Sequence, residues 1–309
     1  MIEAFINTLE FFPRGLVYVA LGLVILVLAK FAKDLVTRYR IDQEVVQKGN
    51  LAVAVGLSGY FLGIVLVFLG ALFQPLTLVV TDGLITPPVS EGFGFDRAFG
   101  EDVLRVFLYS LAGIVAMNIA YFVMDRLVLY KFSVEKEMVE DRNVGTGAVE
   151  FGMNVAIGLV IAGAISGEGV GSDISLALTS LAFFGMGLAV LIVFALFYDL
   201  TTPFSIHGEI EKDNAAVGIA LGGNLIAMGI VILKAVFGNF PGWGAGITEF
   251  LIFAVLGFAL LYVLRLLIDF LLLPTAKISD QLAVERNVGV AFIEGSVVIG
   301  SALILLFAI

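Results

Sequence analysis

A chain of 309 residues that is 60% hydrophobic and only 14% charged does not fit an ordinary soluble domain, since such domains carry about 25% charged residues. No water-soluble core could bury this much apolar surface, so we predict that lipid covers it. The absence of cysteine excludes disulfides and thiolate metal sites. The net charge of −10 lies largely in connections between apolar stretches and identifies no ligand.

About eight apolar stretches are long enough to cross a hydrocarbon core, which takes about 20 helical residues. The first follows Glu3, Glu10 and Arg14 and lacks a basic leader and a small-residue cleavage site. We therefore predict a retained span and not a signal peptide. The predicted spans are approximately 15–33, 51–73, 103–124, 144–165, 176–198, 215–236, 248–272 and 288–309.

Lysine and arginine are concentrated in the connections that follow spans one, three, five and seven. The positive-inside rule places such connections in the cytoplasm, so we expect both termini to lie outside it. Residues 74–102 are then predicted to form an irregular acidic external loop. The basic residues of the predicted cytoplasmic side are Lys30, Lys33, Arg38, Arg40, Lys48, Arg126, Lys131, Lys136, Arg142, Lys212, Arg265, Lys277 and Arg286. The opposite side holds Arg14, Arg97, Arg105 and Lys234.

An internal repeat of two helices is visible four times along the chain. In each copy an acid-containing stretch leads to an asparagine that opens a small-residue-rich span; these asparagines are Asn50, Asn143, Asn214 and Asn287. An aspartate also stands at or just after the end of each odd-numbered span, at Asp34, Asp125, Asp199 and Asp269. Because each unit has two spans, all four units share one orientation, and the repeats are parallel.

A larger duplication lies above the two-helix unit. Asp141-Arg-Asn-Val-Gly145 and Glu285-Arg-Asn-Val-Gly289 are nearly the same sequence, and each has a glutamate seven residues after its asparagine. The first and third units carry Leu57 and Leu221 at that place. We therefore divide the chain into two four-helix membrane modules, residues 1–165 (including the loop 74–102) and 166–309.

The repeat motifs resemble those of the YjfL-type bacterial inner-membrane proteins (domain of unknown function 350). The resemblance rests on Asn50-Leu-Ala-Val-Ala-Val-Gly and, more closely, on Tyr198-Asp-Leu-Thr-Thr-Pro followed by Glu209-Ile-Glu-Lys-Asp-Asn-Ala-Ala-Val-Gly218. It covers nearly the whole chain as two modules in tandem. It implies an all-α, multi-pass protein of the bacterial cytoplasmic (inner) membrane, and for some members a link to envelope stress, but it implies no reaction.

Glu150 and Glu294 are the foremost functional candidates, because ionisable groups inside a membrane are costly and usually face the bundle interior. Seven helical residues past the asparagine place each carboxyl about 10 Å into the membrane. On a helix, Asn143, Glu150 and Asn154 fall within about 40° of one another; Asn287 and Glu294 form the equivalent pair. Such a polar path could bind protons, or hold a small cation between oxygen ligands. Alternatively, each glutamate only hydrogen-bonds a neighbouring span and fixes packing.

The remaining polar positions favour structural roles. Asparagine at a helix start commonly caps free backbone N–H groups, which is our main interpretation of the four repeat asparagines, with direct ligand contact as the alternative. The aspartates at the predicted cytoplasmic ends of the odd spans are expected to form interfacial salt bridges, the alternative being a cation vestibule. Asn118 and Asn224 lie in mid-span and are expected to make interhelical hydrogen bonds.

Catalysis is not expected. His207, the only histidine, lies in a short connection and is predicted to be solvated, so neither a zinc motif nor a Ser–His dyad can be assembled. Gly92-Phe-Gly-Phe-Asp96 superficially resembles an intramembrane aspartyl protease signature, but it falls in the predicted external loop. We expect no catalytic residue, no cofactor, no bound metal and no nucleic-acid partner.

Two functions remain open at this point. The first is a channel or carrier for protons or small cations, built as a pseudo-fourfold pore or as two side-by-side bundles. The second is a non-transporting membrane scaffold, or an envelope-stress component, that recruits cytoplasmic partners or anionic lipid through its basic loops. A homo-oligomer is compatible with either function.

Overall fold

The computed structural model describes residues 2–73, 79–81, 84–86, 97–166, 173–238, 240–267 and 276–308. In chain order its elements are α1 (Ile2–Val36), a π-helical turn (Gln43–Gln47), α2 (Leu51–Leu72), β1 (Val79–Thr81), β2 (Leu84–Thr86), α3 (Arg97–Val128), α4 (Val134–Val139), α5 (Val144–Ile165), α6 (Asp173–Thr201), α7 (Ile206–Glu211), α8 (Ala215–Val236), α9 (Trp243–Leu267), α10 (Ile278–Ala283) and α11 (Val288–Ala308). Eight of these helices are long and apolar enough to cross a membrane. The prediction of a helical multi-pass membrane protein with about eight spans is confirmed.

Two predictions about the 74–102 connection were wrong. Helix α3 begins at Arg97, so the end of the predicted loop is helical, and β1 pairs with β2 as an antiparallel hairpin. The hydropathy pattern alone predicts too late a start for α3, because the first turns of this helix are polar. Ion pairs between Arg97 and Glu101 and between Arg105 and Asp102 stabilise those turns beyond the apolar part of the helix. Three acidic residues of the predicted loop, Asp82, Glu91 and Asp96, lie outside the described residues.

The four helices that begin after the repeat asparagines pack side by side in one row, in the order α2, α5, α8, α11. The contact between α5 and α8 joins the two modules and is as extensive as the contacts within each module. The fold is therefore a continuous row, and not two separate bundles. Helices α5 and α8, in the middle of the row, are buried along almost their whole length.

Glycine makes this close packing possible. A Cβ on Gly158 would lie 2.5 Å from Gly63 Cα, and a Cβ on Gly70 would lie 2.6 Å from Ala162 Cα. Backbones that approach this closely leave no room for a side chain, which is how small residues allow membrane helices to associate. The row is thus held by backbone-to-backbone packing.

The two faces of the row differ. The first long helix of each repeat unit covers one face; these helices, which we call the odd helices because they are spans one, three, five and seven, are α1, α3, α6 and α9. The opposite face is an apolar groove of about 400 Å³, to which all four row helices contribute, including Phe151, Ile226 and Phe292. We call the end of the bundle that holds the π-helical turn, α4, α7 and α10 the basic end.

Each repeat asparagine follows a residue in the left-handed backbone conformation. Gly49, Arg142, Asp213 and Arg286 have φ values of 61°, 54°, 60° and 51°. Only glycine adopts this region without steric cost, and other residues lose about 1 kcal/mol there.

Replacing Arg142 by glycine is therefore expected to stabilise the protein by about 0.5–1 kcal/mol, since glycine already stands at the equivalent place before Asn50. Gly49→Arg should cost a similar amount. Thermal unfolding in detergent tests both variants, with Arg38→Gly as the control on an exposed basic residue whose φ is not left-handed. A loss of stability in Arg142→Gly would show that the arginine side chain outweighs the backbone term.

Candidate functional site

The repeat asparagines connect neighbouring units along the basic end through hydrogen bonds, which we call the asparagine relay. The side-chain oxygen of each caps its own helix by accepting the backbone N–H three residues later. The amide of each of the first three donates to a backbone carbonyl of the next unit: Asn50 to Met138 (2.8 Å), Asn143 to Ile210 (2.6 Å) and Asn214 to Leu282 (2.9 Å). The asparagines thus fasten each unit to the one that follows.

The acid that precedes each asparagine completes the motif. The asparagine N–H donates to the backbone carbonyl of Glu44, Glu137, Glu209 or Gln281. Its side-chain amide also donates to the side chain of that same residue. In the fourth unit Gln281, and not Asp280, occupies the position of the acid. The acid–asparagine pattern in the sequence therefore marks a local pair of hydrogen bonds that holds the connection before each row helix.

Two of these acids have a pKa below the usual range for glutamate. A hydrogen bond from Lys48 is the main cause for Glu44. For Glu209, partial burial acts in the opposite direction, but hydrogen bonds from Lys212 and Asn214 outweigh it. Both carboxylates are therefore charged near neutral pH, as acceptors of the asparagine amides.

Glu150 lies in a cluster of the first module, which we define as Lys33, Tyr121 and Glu150. The Tyr121 hydroxyl donates to Glu150 Oε1 at 2.5 Å. Lys33 Nζ lies 3.4 Å from the centroid of the Tyr121 ring, has no hydrogen-bond partner, and is close enough to interact electrostatically with Glu150. Lys33 and Glu150 are only 4% and 3% exposed, so two ionisable residues of opposite charge type are buried within the bundle.

Glu294 lies in the corresponding cluster of the second module, defined as Tyr198, Arg265 and Glu294. The hydroxyl of Tyr198 donates to Glu294 Oε1 at 3.3 Å, and the Asn224 amide donates to the same oxygen at 3.3 Å. The Arg265 guanidinium stacks 4.9 Å from the centroid of the Tyr198 ring and donates to Thr202. Each module therefore holds one glutamate, one tyrosine and one cation.

The tyrosine and the cation have exchanged places between the two modules. Lys33 and Tyr198 each directly precede the aspartate of the first odd helix in their module. Tyr121 and Arg265 each stand four residues before the aspartate of the second odd helix. These partners of the glutamates were not predicted from the sequence, although an alignment of the odd-numbered spans on their aspartates contains the signal.

The predicted polar path is not continuous among the described residues. Asn143 bonds to Glu137 and Ile210 and does not contact Glu150, while Asn154 donates to the Glu150 backbone carbonyl. The amide of Asn287 likewise donates to Gln281 and not to Glu294. No described side chain links the two glutamates, so a single shared passage through Glu150 and Glu294 finds no support in the geometry.

The half of the membrane away from the basic end has few buried polar side chains in the described part of the bundle. Its buried polar side chains are Ser110 and Ser166, and each hydroxyl donates to a carbonyl of its own helix. A cavity of about 110 Å³ beside Tyr109 and Glu249 opens at that far end. Apolar residues of α5 such as Ile157 and Val160 fill the region between this cavity and the clusters.

The aspartates at the ends of the odd helices lie at the basic end. Asp34 pairs with Lys30 at 3.0 Å, and Asp199 lies 3.8 Å from Lys131. The charge of Asp125 interacts with Lys33 and Arg126, whereas Asp269 lies outside the described residues. In mid-span, Asn118 donates to the Tyr60 hydroxyl of the neighbouring helix at 3.0 Å.

His207 is buried and not solvated, contrary to our prediction. Its Nε2 lies 2.7 Å from the Val128 carbonyl of the first module, and its Nδ1 lies 3.2 Å from Asp199 Oδ2. The sequence did not show that the short connection after α6 folds back as α7 against the end of α3. His207 therefore joins the two modules at the basic end.

Comparison with known proteins agrees with the tandem arrangement. A family model described as Domain of Unknown Function (DUF350) matches residues 7–165 and again residues 172–309. The UPF0719 transmembrane protein of Aquifex aeolicus (strain VF5) is 21% identical over 268 residues, covering 86% of this chain and 89% of the relative. The UPF0719 transmembrane protein YshE of Bacillus subtilis (strain 168) is 28% identical over 148 residues, covering 48% of this chain and 90% of the relative. No solved structure matches.

These matches confirm the resemblance inferred from the repeat motifs. The Aquifex relative is similar over both modules, whereas the matched part of YshE has the length of one. With eight membrane-spanning helices and two matched segments, the chain is a multi-pass transmembrane protein that belongs to the DUF350 family, with two copies of the family's domain in tandem.

Proposed function

We propose that the protein is a carrier for protons or small cations in the bacterial cytoplasmic membrane, with a separate binding site in each module. The observation that carries the proposal is the pair of glutamate–tyrosine–cation clusters, in each of which the glutamate is buried. Ionisable groups inside a membrane are expensive and therefore uncommon without a function. Here one glutamate, one tyrosine and one cation recur in both modules even though the positions of the tyrosine and the cation have exchanged.

The small number of buried polar side chains in the half away from the basic end favours a carrier over an open channel. A channel needs a continuous polar or water-filled passage, whereas a carrier exposes its site to one side at a time. Both clusters lie toward the basic end, which we propose faces the cytoplasm on the basis of its lysine and arginine residues. Protons or cations would then reach the glutamates from the cytoplasm, and release on the other side would require helix movement.

Flux through proteoliposomes tests this proposal. Purified protein is reconstituted with a trapped pH dye, and a proton, Na⁺ or K⁺ gradient is imposed. We expect flux above that of empty liposomes, a partial loss in Glu150→Gln and in Glu294→Gln, and a complete loss in the double variant. Glu101→Gln is the matched control, since Glu101 is an exposed carboxylate paired with Arg97 at the far end of α3. No flux in the wild type, or full flux in the double variant, would reject the carrier.

A scaffold role is the second candidate, favoured by the surface at the basic end. Arg38, whose side chain is 85% exposed, lies within 3.9 Å of Glu135 at that end, and Lys136 is also exposed there. These side chains could bind an acidic cytoplasmic partner or anionic lipid. If reconstituted protein carries no ion, the clusters are better explained as structural ion pairs beneath this surface.

A further inference from the structure

We propose that a second copy of this chain docks head to tail in the membrane, with α11 of one copy packed against α2 of the next. This contact would continue the row α2–α5–α8–α11 across the boundary between copies. The proposal does not depend on the carrier function. It rests on the repetition of one interface three times within the chain and on the free half-interfaces at the two ends of the row.

The three internal contacts use the same helical positions. Counted from the asparagine, the ninth residue of one helix packs against the eighth residue of the next helix: Gly59 on Phe151, Gly152 on Gly222 and Gly223 on Gly295. In each pair, an added Cβ would overlap the backbone of the partner residue. The asparagine relay accompanies all three contacts, because the next unit supplies the accepting carbonyl each time.

The last helix presents the donor half of this interface without a receiver among the described residues. Ser296, the ninth residue after Asn287, is exposed. Serine stands here in place of the glycine of the three internal contacts, so an incoming helix would pack less closely on α11 than the row helices pack on one another. A Cβ on Gly300 would meet no described atom within 4 Å. Asn287 is also exposed. Its amide donates to Gln281, but the described chain offers no later unit whose carbonyl could accept a further hydrogen bond as Met138, Ile210 and Leu282 do.

The first helix presents the receiver half. Ser58, the eighth residue after Asn50, is small and exposed. Val45 follows Glu44 in the place that Met138 takes after Glu137, so its carbonyl is the equivalent acceptor for an incoming asparagine. The two ends of the row are therefore complementary, as a heterologous contact between identical chains requires.

The angle between the two edges keeps these ends from meeting within one chain. At about 100° per residue, the edge toward the preceding helix (positions four and eight) and the edge toward the following helix (positions nine and thirteen) are about 140° apart. A closed ring of four helices requires about 90°, and a ring of eight requires about 135°. The row is thus an open arc. Two copies together have eight row helices, which is the number that a closed ring with this angle requires.

One relative has the length of a single module. The Bacillus relative matches over 148 residues, 90% of its length, which is the length of one module with two asparagine-led helices. In a one-module chain, a contact equivalent to that between α5 and α8 can form only between copies. The tandem chain would then contain one such contact within its sequence and leave the next to form between molecules.

Disulfide trapping tests the proposal directly, because the chain contains no cysteine. Ser58→Cys and Ser296→Cys variants with different affinity tags are co-expressed, and their membranes are oxidised. We expect a disulfide-linked dimer that carries both tags. The glycine contacts inside the row are closer than the Cα separation of about 4.4–6.8 Å that a disulfide requires, and the side chain at residue 296 holds the two backbones farther apart than those glycines do. Each variant expressed alone should remain largely uncross-linked. No mixed dimer, or like-with-like cross-linking as strong as mixed cross-linking, would overturn the proposal.

A second measurement does not depend on cysteine geometry. Ser296→Phe should shift the wild-type protein from dimer or larger assembly to monomer in native mass spectrometry from detergent. Val255→Phe is the matched control, since Val255 is an exposed residue of the membrane helix α9 and lies outside the row. A monomeric wild-type protein, or an assembly unaffected by Ser296→Phe, would count against head-to-tail docking.

Discussion

Gly152→Ala should destabilise the protein by about 3 kcal/mol, near the upper end of the usual cost of overpacking. Gly152 lies at the centre of the row, where α5 packs on α8, and an added Cβ would overlap the backbone of Gly222. A flexible side chain could move aside, but two helix backbones can separate only by opening the contact between the modules. Unfolding in detergent, followed by circular dichroism or by resistance to SDS, measures the loss.

The same substitution at Gly185 is the control. Gly185 also lies within a membrane helix, α6, but a Cβ there would meet no described atom within 4 Å. We expect Gly185→Ala to change stability by less than about 1 kcal/mol, in the stabilising direction expected from helix propensity. Similar losses at the two glycines would mean that the close approach of α5 and α8 contributes little to stability.

Asn143→Ala should cost about 3 kcal/mol, whereas Asn287→Ala should cost only about 1 kcal/mol. The buried Asn143 caps α5, donates to the carboxylate of Glu137 and donates to the Ile210 carbonyl. Its removal leaves buried polar groups without partners. The exposed Asn287 has no described following unit to fasten, so its main loss is the helix cap.

Replacing Asn143 or Asn287 by aspartate separates the effect of helix capping from the effect of the hydrogen bond to the next unit. It keeps the oxygen that caps the helix but loses the amide donor, and at residue 143 it adds a second carboxylate beside Glu137. We expect Asn287→Asp to be nearly neutral in detergent-solubilised monomer and Asn143→Asp to be at least as harmful as Asn143→Ala. Equal effects at the two positions would show that the relay to Ile210 does not stabilise the fold.

Much of the fold follows from the sequence because the membrane makes the pattern simple. Each apolar stretch must be a helix, and the predicted bounds of α5 and α8 agree with the structure. The start of α3 was predicted too late because its polar first turns are helical through ion pairs that hydropathy does not register. The open row was also not predicted, since the repeat period gives the number of units but not the edges through which they pack.

The candidate site was only half predictable. Glu150 and Glu294 stand out because a charge in an apolar span is conspicuous. Lys33 and Arg265 were assigned to the basic connections because they stand near the ends of their helices. Tyr121 and Tyr198 carry no charge in a sequence already rich in aromatic residues. Their meeting with the glutamates depends on the packing of odd helices against the row, which periodicity along one helix does not specify.

The presence of lysine in one cluster and arginine in the other makes the two clusters unequal in the charge they can carry. Lysine can give up its proton inside a protein, whereas arginine stays charged. In the first module a proton can pass between Lys33 and Glu150 with no change in the total charge of the cluster. In the second module a proton that neutralises Glu294 leaves the Arg265 charge unbalanced. The two clusters therefore differ in the net charge that they hold once the glutamate is protonated, although one family model matches both halves of the chain.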